Sequence, residues 1–144
     1  MKIPDSISAM VYSMKHPVLW TVMVWAIAVV GYVMMCMTGE DHVPVAFVYL
    51  SCIAFVGAMP LIKGDHNTMH WLFGITGCAA SQLWCVLQCA AADSITPLCS
   101  VVTLWALYLV IMLCARMRHW CFWMEVWCMA AVIMTAWMTG GPGS

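Results

Sequence analysis

Residues 63–92 read KGDHNTMHWLFGITGCAASQLWCVLQCAAA, a polar turn that leads into the most polar of several long apolar segments. If residues 68–92 form a helix, successive steps of 100° divide them into two faces. One face carries His70, Gly74, Gly77, Ser81, Cys85 and Gln88, and the opposite face carries Leu72, Ile75, Ala79, Leu83, Val86 and Leu87. In a bilayer, small and polar residues face neighbouring helices and bulky apolar residues face lipid. The pattern predicts that this helix is the central one of a bundle.

The composition is typical of an integral membrane protein. Of the 144 residues, 65% are hydrophobic and 8% are charged, whereas soluble domains carry about 25% charged residues. Five apolar segments are each long enough to cross about 30 Å of hydrocarbon. They are approximately residues 18–37, 43–62, 68–92, 95–115 and 120–138. We therefore predict one all-α domain over residues 1–144, a polytopic bundle of five transmembrane helices. Polar and apolar residues do not alternate along these segments as they do along the strands of a membrane β-barrel.

The residues before the first apolar segment have an amphipathic pattern. Apolar residues recur there at helical spacing, namely Ile3, Ile7, Met10, Val11 and Met14. A short N-terminal helix lying in the membrane interface is therefore expected.

The charged residues predict an orientation in the membrane. A five-span topology places all five basic residues on one side: Lys2, Lys15, Lys63, Arg116 and Arg118. The acidic residues Glu40, Asp41 and Asp93 fall on the other side. Since basic residues concentrate in cytoplasmic loops, we expect a multi-pass protein of the inner or plasma membrane, with a cytoplasmic N-terminus and an external C-terminus. The net charge of −1 gives no reason to expect a nucleic-acid partner. The expected partners are the lipid bilayer and either further copies of the chain or another membrane protein.

The nine cysteines form no CxxC pair, and nearly all of them lie inside apolar segments. A thiol in such a setting behaves as a small, soft hydrophobe. A haem held by two histidines is disfavoured, because no two histidines fall in the middle of separate spans. We therefore predict no cofactor.

Glu125 is the ionisable residue that the topology places furthest inside a span. An acidic residue at a helix centre costs about 2.5–3.5 kcal/mol on insertion scales, so Glu125 is expected to be paired, protonated or in a wet cavity. The topology assigns His70 to the same cytoplasmic half. The predicted depths of the two residues therefore allow a contact between His70 and Glu125. Arg116, Arg118 or an interfacial histidine is the alternative partner.

A metal site is a second interpretation of the same half of the bundle. His66 and His70 are four residues apart, which suits two ligands on one helical face. Asp65, His119 or Glu125 would complete the ligand set. However, Asn67 and Thr68 are good N-cap residues and would leave His66 in the loop. We expect interfacial histidines rather than a metal centre, and His66, His70 and His119 remain the candidates.

The small-residue face also has two interpretations. Gly74, Gly77 and Ser81 either line a ligand cavity or mark where two helices touch. Gln82 lies off this face and is predicted to form an interhelical hydrogen bond. Trp127 belongs to a stripe with Trp120 and Trp123 that is typical of an aromatic belt at the headgroup level.

These observations favour a membrane bundle that binds or transports a small or amphiphilic ligand, rather than an enzyme. The predicted entry lies in the cytoplasmic half, between the second, third and fifth helices. His70 and Glu125 are the first-choice ligand-binding residues, and Asp65, His66 and Gln88 are the second choices. The alternatives are an intramembrane metal-dependent enzyme acting on lipid headgroups, and a non-catalytic scaffold subunit.

Overall fold

The structure, a computed structural model, describes residues 16–38, 40–61, 67–92, 94–115 and 120–140. Within these ranges it is all-helical and contains no strand. The α-helices are α1 (Pro17–Thr38), α2 (Val43–Ala58), α3 (Asn67–Ala91), α4 (Thr96–Ala115) and α5 (Trp120–Thr139). These helices coincide with the five apolar segments, and each segment is long and apolar enough to span a membrane. The predicted amphipathic helix before residue 16 lies outside the described residues.

Prolines mark the ends of several helices. Pro17 begins α1, and Pro44 and Pro97 lie in the first turns of α2 and α4. A proline is tolerated there because the first N–H groups of a helix have no intrahelical acceptor. Pro60 lies in the 3-10 turn Met59–Leu61 that follows α2. Helix α2 therefore ends two residues before Pro60.

Four of the helices form a closed ring. Helix α2 packs against α1 and α3, and α5 packs against α3 and, less extensively, α1. Helix α4 lies outside this ring, against α5 and α3. In the most apolar stretch of α3, 39% of the residues are buried, compared with 17–28% in the corresponding stretches of the other helices. Helix α3 is therefore the most buried of the five candidate spans.

One end of the ring is filled by a solid core. At this end, which we call the packed end, α1 ends and α2 begins. Met35, Ala46, Trp84 and Ala131 come from α1, α2, α3 and α5 respectively, and all four are fully buried. The side-chain amide of Gln88 donates to the backbone carbonyl of Thr38, the last residue of α1. This bond satisfies a carbonyl that has no partner within its own helix.

Gln82 links three helices. Its Nε2 donates to the Ser81 hydroxyl at 3.1 Å and to the Cys128 carbonyl on α5 at 3.3 Å. Its Oε1 accepts the indole N–H of Trp105 on α4 at 3.0 Å. The prediction that Gln82 makes an interhelical hydrogen bond is confirmed, and the residue joins α3 to both α4 and α5.

Trp127 of the predicted aromatic stripe lies at a contact between two helices. Its indole N–H donates to the Leu104 carbonyl on α4 at 2.7 Å, and its ring centroid lies 5.5 Å from that of Tyr108. The residue packs between α4 and α5 because an indole N–H inside a bundle needs an acceptor, and α4 supplies one on that face. The sequence pattern alone did not reveal which face of α5 meets α4.

Replacing Gln82 with leucine tests the three-helix link. Gln82→Leu keeps a similar volume but leaves the Trp105 N–H without its acceptor, so we expect a loss of about 1–2 kcal/mol in the free energy of unfolding. Thr76→Val is the matched control, since the Thr76 hydroxyl donates only to Leu72 of its own helix. Reversible unfolding in mixed micelles measures both variants. Equal stability of Gln82→Leu and the wild type would contradict the assignment.

Candidate functional site

A cavity of about 390 Å³ lies inside the ring of α1, α2, α3 and α5. Its volume falls at the lower end of the range of ligand pockets, about 300–1,000 Å³. All four helices of the ring line it, and α4 contributes no lining residue among those described. Most of the wall is aliphatic or methionine side chain. The core at the packed end includes the lining residue Val132, so the cavity abuts solid packing there.

Helices α3 and α5 each contribute two polar side chains to the wall. Cys78 and Ser81 come from α3, and Glu125 and Cys128 come from α5. We call these four residues the polar patch. The thiols of Cys78 and Cys128 are hydrogen-bonded to each other, and the Glu125 carboxyl group is close enough to interact electrostatically with both. The Ser81 hydroxyl donates to the Cys78 carbonyl at 2.7 Å. Glu125 is the only Asp, Glu, Lys, Arg or His among the described lining residues.

The cavity opens between α1 and α5. Ile27 and Val30 of α1 are 38% and 59% exposed, and Met129 and Ile133 of α5 are 39% and 55% exposed. All four line the cavity, whereas no lining residue of α2 or α3 is exposed to this degree. The mouth is therefore on the side wall of the bundle, where α1 and α5 pack less extensively than α1 and α2 do.

The two glycines of the small-residue face have different roles. A Cβ on Gly77 would lie 2.7 Å from Cδ1 of Ile53 and 3.2 Å from Cβ of Cys52, so Gly77 allows α2 and α3 to approach closely. A Cβ on Gly74 would meet nothing within 4 Å, and Gly74 lines the cavity. Gly77 therefore lies at a helix contact, and Gly74 lies in the wall of the cavity.

Of the predicted ligand-binding residues that the structure describes, one lines the cavity. Glu125 is half-buried in its wall. His70 lies one turn before Gly74 and is not part of the wall; its Nδ1 is buried with no hydrogen-bond partner among the described residues. Gln88 lies at the packed end and is bonded to α1. Asp65 and His66 lie outside the described residues.

The predicted metal ligands are not assembled in the part of the chain that the structure describes. No group of three or more His, Cys, Asp or Glu residues there could hold a metal ion. His119, like His66, lies outside the described residues. The described cysteines are free thiols.

Sequence reasoning missed the contribution of α1. Trp20 is only 2% exposed, lines the cavity, and has a buried indole N–H with no hydrogen-bond partner among the described residues. Tyr49 of α2 lines it as well. Helix α1 is apolar on all sides, so periodicity could not indicate which of its faces turns inward. For α2, the sequence offered one indication of the lining residues: Tyr49 is one of two polar residues in the middle of the second segment.

Alanine substitutions distinguish the two glycines. Gly77→Ala is expected to lower the free energy of unfolding by about 1–3 kcal/mol, because its Cβ overpacks the contact with α2. Gly74→Ala is expected to raise it by about 0.5–1 kcal/mol, because alanine is the better helix former and its Cβ enters open space. Unfolding in mixed micelles measures both changes. Similar losses at the two positions would mean that Gly74 also lies in a helix contact.

Comparison with known proteins gives no family for this chain. No protein-family model, no curated protein and no solved structure matches it. Its function is therefore inferred from the cavity and the chemistry of the cavity wall.

Proposed function

We propose that the chain is a multi-pass membrane protein that binds an amphiphilic ligand in the cavity between α1, α2, α3 and α5. The observation that carries the proposal is an apolar cavity with one acidic group in its wall and a mouth on the side of the bundle. Pockets for small molecules have this chemistry, a largely apolar wall with a few polar groups that fix orientation.

The outer surface of the bundle supports a membrane location. Large apolar residues are exposed on several helices, including Val30 at 59%, Leu72 at 57% and Leu113 at 81%. A soluble monomer rarely exposes contiguous apolar surface of this kind, whereas lipid tails solvate it. The distribution of basic residues then favours a cytoplasmic N-terminus and an external C-terminus.

The shape of the cavity favours ligand binding over an open pore. A continuous path through the membrane would have to cross the packed end, where Met35, Ala46 and Trp84 are fully buried. The side mouth between α1 and α5 instead faces the hydrocarbon in the proposed orientation. A ligand that is already dissolved in the bilayer could enter there without passing through water. Transport would require a second conformation in which the packed end opens.

The wall has an apolar region and a polar region, which makes an amphiphile a better candidate than a purely apolar molecule. Residues near the mouth, such as Val30 and Ile133, are apolar and suit a hydrocarbon tail. The polar patch on α3 and α5 suits a polar head that would otherwise lie in the hydrocarbon at high cost. A ligand with both parts would therefore gain from both regions of the wall.

Filling the cavity tests the proposal. Gly74→Leu adds a side chain to the cavity wall, and we expect it to abolish binding of the ligand, because the added atoms occupy the site. Ala79→Leu is the matched control, since Ala79 is exposed on the outside of the same helix. Native mass spectrometry of each protein released from nanodiscs measures the small molecules that remain bound, together with the number of subunits.

We expect a molecule retained by the wild type and by Ala79→Leu to be lost from Gly74→Leu. Equal retention by Gly74→Leu would contradict binding in this cavity. A bound metal ion would instead favour the intramembrane enzyme.

Reporter fusions test the proposed orientation. Alkaline phosphatase is active only outside the cytoplasm, whereas a suitable fluorescent protein becomes fluorescent only in the cytoplasm. Because the basic residues are expected to remain inside, phosphatase fused after Ser144 should be active in a bacterial host, and a fluorescent protein fused there should be dark. A fluorescent and phosphatase-negative C-terminal fusion would show the opposite orientation, and it would leave the proposal about the cavity unchanged.

A further inference from the structure

We infer that Cys78 and Cys128 form a redox site, in which a lipid hydroperoxide oxidises the two thiols to a disulfide that joins α3 to α5. The two thiols are hydrogen-bonded to each other, and both residues line the cavity. The inference rests on the proposed function in one respect, because the hydroperoxide must enter the cavity from the bilayer. It adds a chemical reaction to a site for which binding alone was proposed.

The pair differs from the other cysteines in the described part of the chain. Cys85 and Cys89 are 0% and 3% exposed and do not line the cavity. Cys78 is half-buried, whereas Cys128 is only 5% exposed. An oxidant in the cavity therefore meets Cys78 as the more accessible thiol, with Cys128 as its partner.

A hydrogen bond near the pair fixes the spacing of the two helices. Gln82 lies one turn after Cys78 on α3, and its Nε2 donates to the backbone carbonyl of Cys128 at 3.3 Å. The backbone of Cys128 is thereby tied to α3 close to Cys78. A disulfide bond is about 2.05 Å long, so two thiols that are already hydrogen-bonded need only a small movement of their side chains.

The hydrogen bond between the two thiols also affects their reactivity. A cysteine reacts as its thiolate, and an apolar wall disfavours the charged form. A hydrogen bond donated by the Cys128 thiol would stabilise the negative charge that develops on the Cys78 sulfur. Cys78 is therefore the thiol suited to attack, and Cys128 is the thiol suited to complete the disulfide.

The reaction balances in two steps. The Cys78 sulfur attacks the terminal oxygen of the hydroperoxide, the O–O bond breaks, and the thiol proton passes to the alkoxide oxygen, so that a sulfenic acid and a lipid alcohol form. The Cys128 sulfur then attacks the sulfur of the sulfenic acid. The S–S bond forms, the S–O bond breaks, and the hydroxyl group leaves with the Cys128 proton as water. The two sulfur atoms together lose two electrons, which the peroxide bond gains.

The cavity favours a lipid hydroperoxide over other oxidants. In the proposed membrane location, the side mouth between α1 and α5 opens to hydrocarbon, so a charged, water-soluble oxidant has no path to it. A lipid hydroperoxide is an amphiphile whose chain suits the aliphatic wall near Val30 and Ile133, and whose small polar group suits the polar patch. Its oxidising centre is a single oxygen atom, which needs less room beside Cys78 than an oxidising ring would.

The experiment exposes the full, reduced chain in nanodiscs to cumene hydroperoxide. At timed intervals the remaining thiols are alkylated, and disulfide-linked peptides are counted by mass spectrometry. We expect the disulfide between Cys78 and Cys128 to form at least about tenfold faster than any other pairing, because the two sulfurs combine proximity with access to the cavity. This measurement uses the wild type, so it does not depend on the folding of a variant. Faster formation of another pairing, or absence of this one, would overturn the inference.

Two serine variants assign the roles of the two thiols. In Cys128→Ser the Cys78 sulfenic acid has no thiol in contact, so we expect dimedone to label Cys78 at least about tenfold more than in the wild type. Cys114→Ser is the matched control, since Cys114 is exposed on α4 and outside the cavity wall. We expect it to form the disulfide at the wild-type rate. Equal labelling of Cys78 in Cys128→Ser and in the wild type would contradict the assigned roles.

Filling the cavity separates this inference from the proposed function. We expect Gly74→Leu to slow formation of the disulfide by about tenfold, because the added side chain displaces the hydroperoxide from its position beside Cys78. Suppose that Gly74→Leu reacts at the wild-type rate but loses the bound molecule that the wild type retains. The redox site would then be overturned, and the cavity would remain the ligand site. A wild-type rate together with equal retention of that molecule would overturn both proposals.

Discussion

The close approach of α3 to its neighbours is the constraint on which the bundle depends. In the proposed membrane location, hydrophobic burial would not drive apolar helices together, and their association would rely on close packing and interhelical hydrogen bonds. Gly77 supplies the first of these, because the absence of a side chain there leaves room for Ile53 of α2. Gln82 supplies the second by bonding to α5 and accepting from Trp105 of α4. These two contacts hold α3 against α2, α4 and α5.

The cavity forms because large side chains fill one end of the ring and small residues line the part beside it. At the packed end, Trp84 and Met35 fill the centre completely. Further along α3, Gly74 and Ser81 present small side chains to the same axis, and no neighbouring residue fills the space. The space therefore lies beside the core and opens where α1 and α5 pack least. Glu125 lies in the wall of this space, close to Cys78 and Cys128.

The sequence predicted part of the site for identifiable reasons. Glu125 could be found because a carboxylate is rare and costly inside an apolar segment. Gln82 could be found because a polar amide off the small-residue face needs a partner on another helix. Trp20 could not be found, since α1 is apolar all round and its inward face depends on where α2 and α5 lie. For the same reason the pairing of His70 with Glu125 and the contribution of Gln88 to a ligand site stayed hypotheses, and the structure places both His70 and Gln88 outside the cavity wall.

The number, length and apolar character of the helices could be predicted from the sequence, because these depend on local composition and on the positions of prolines and polar turns. The small, polar face of α3 could be predicted as well. The folded structure was needed to show that α4 lies outside the ring, that Gly77 and Gly74 have different roles, and that Trp127 packs against α4. Each of these depends on which helices become neighbours, and uniformly apolar helices carry no periodic signal that specifies their neighbours.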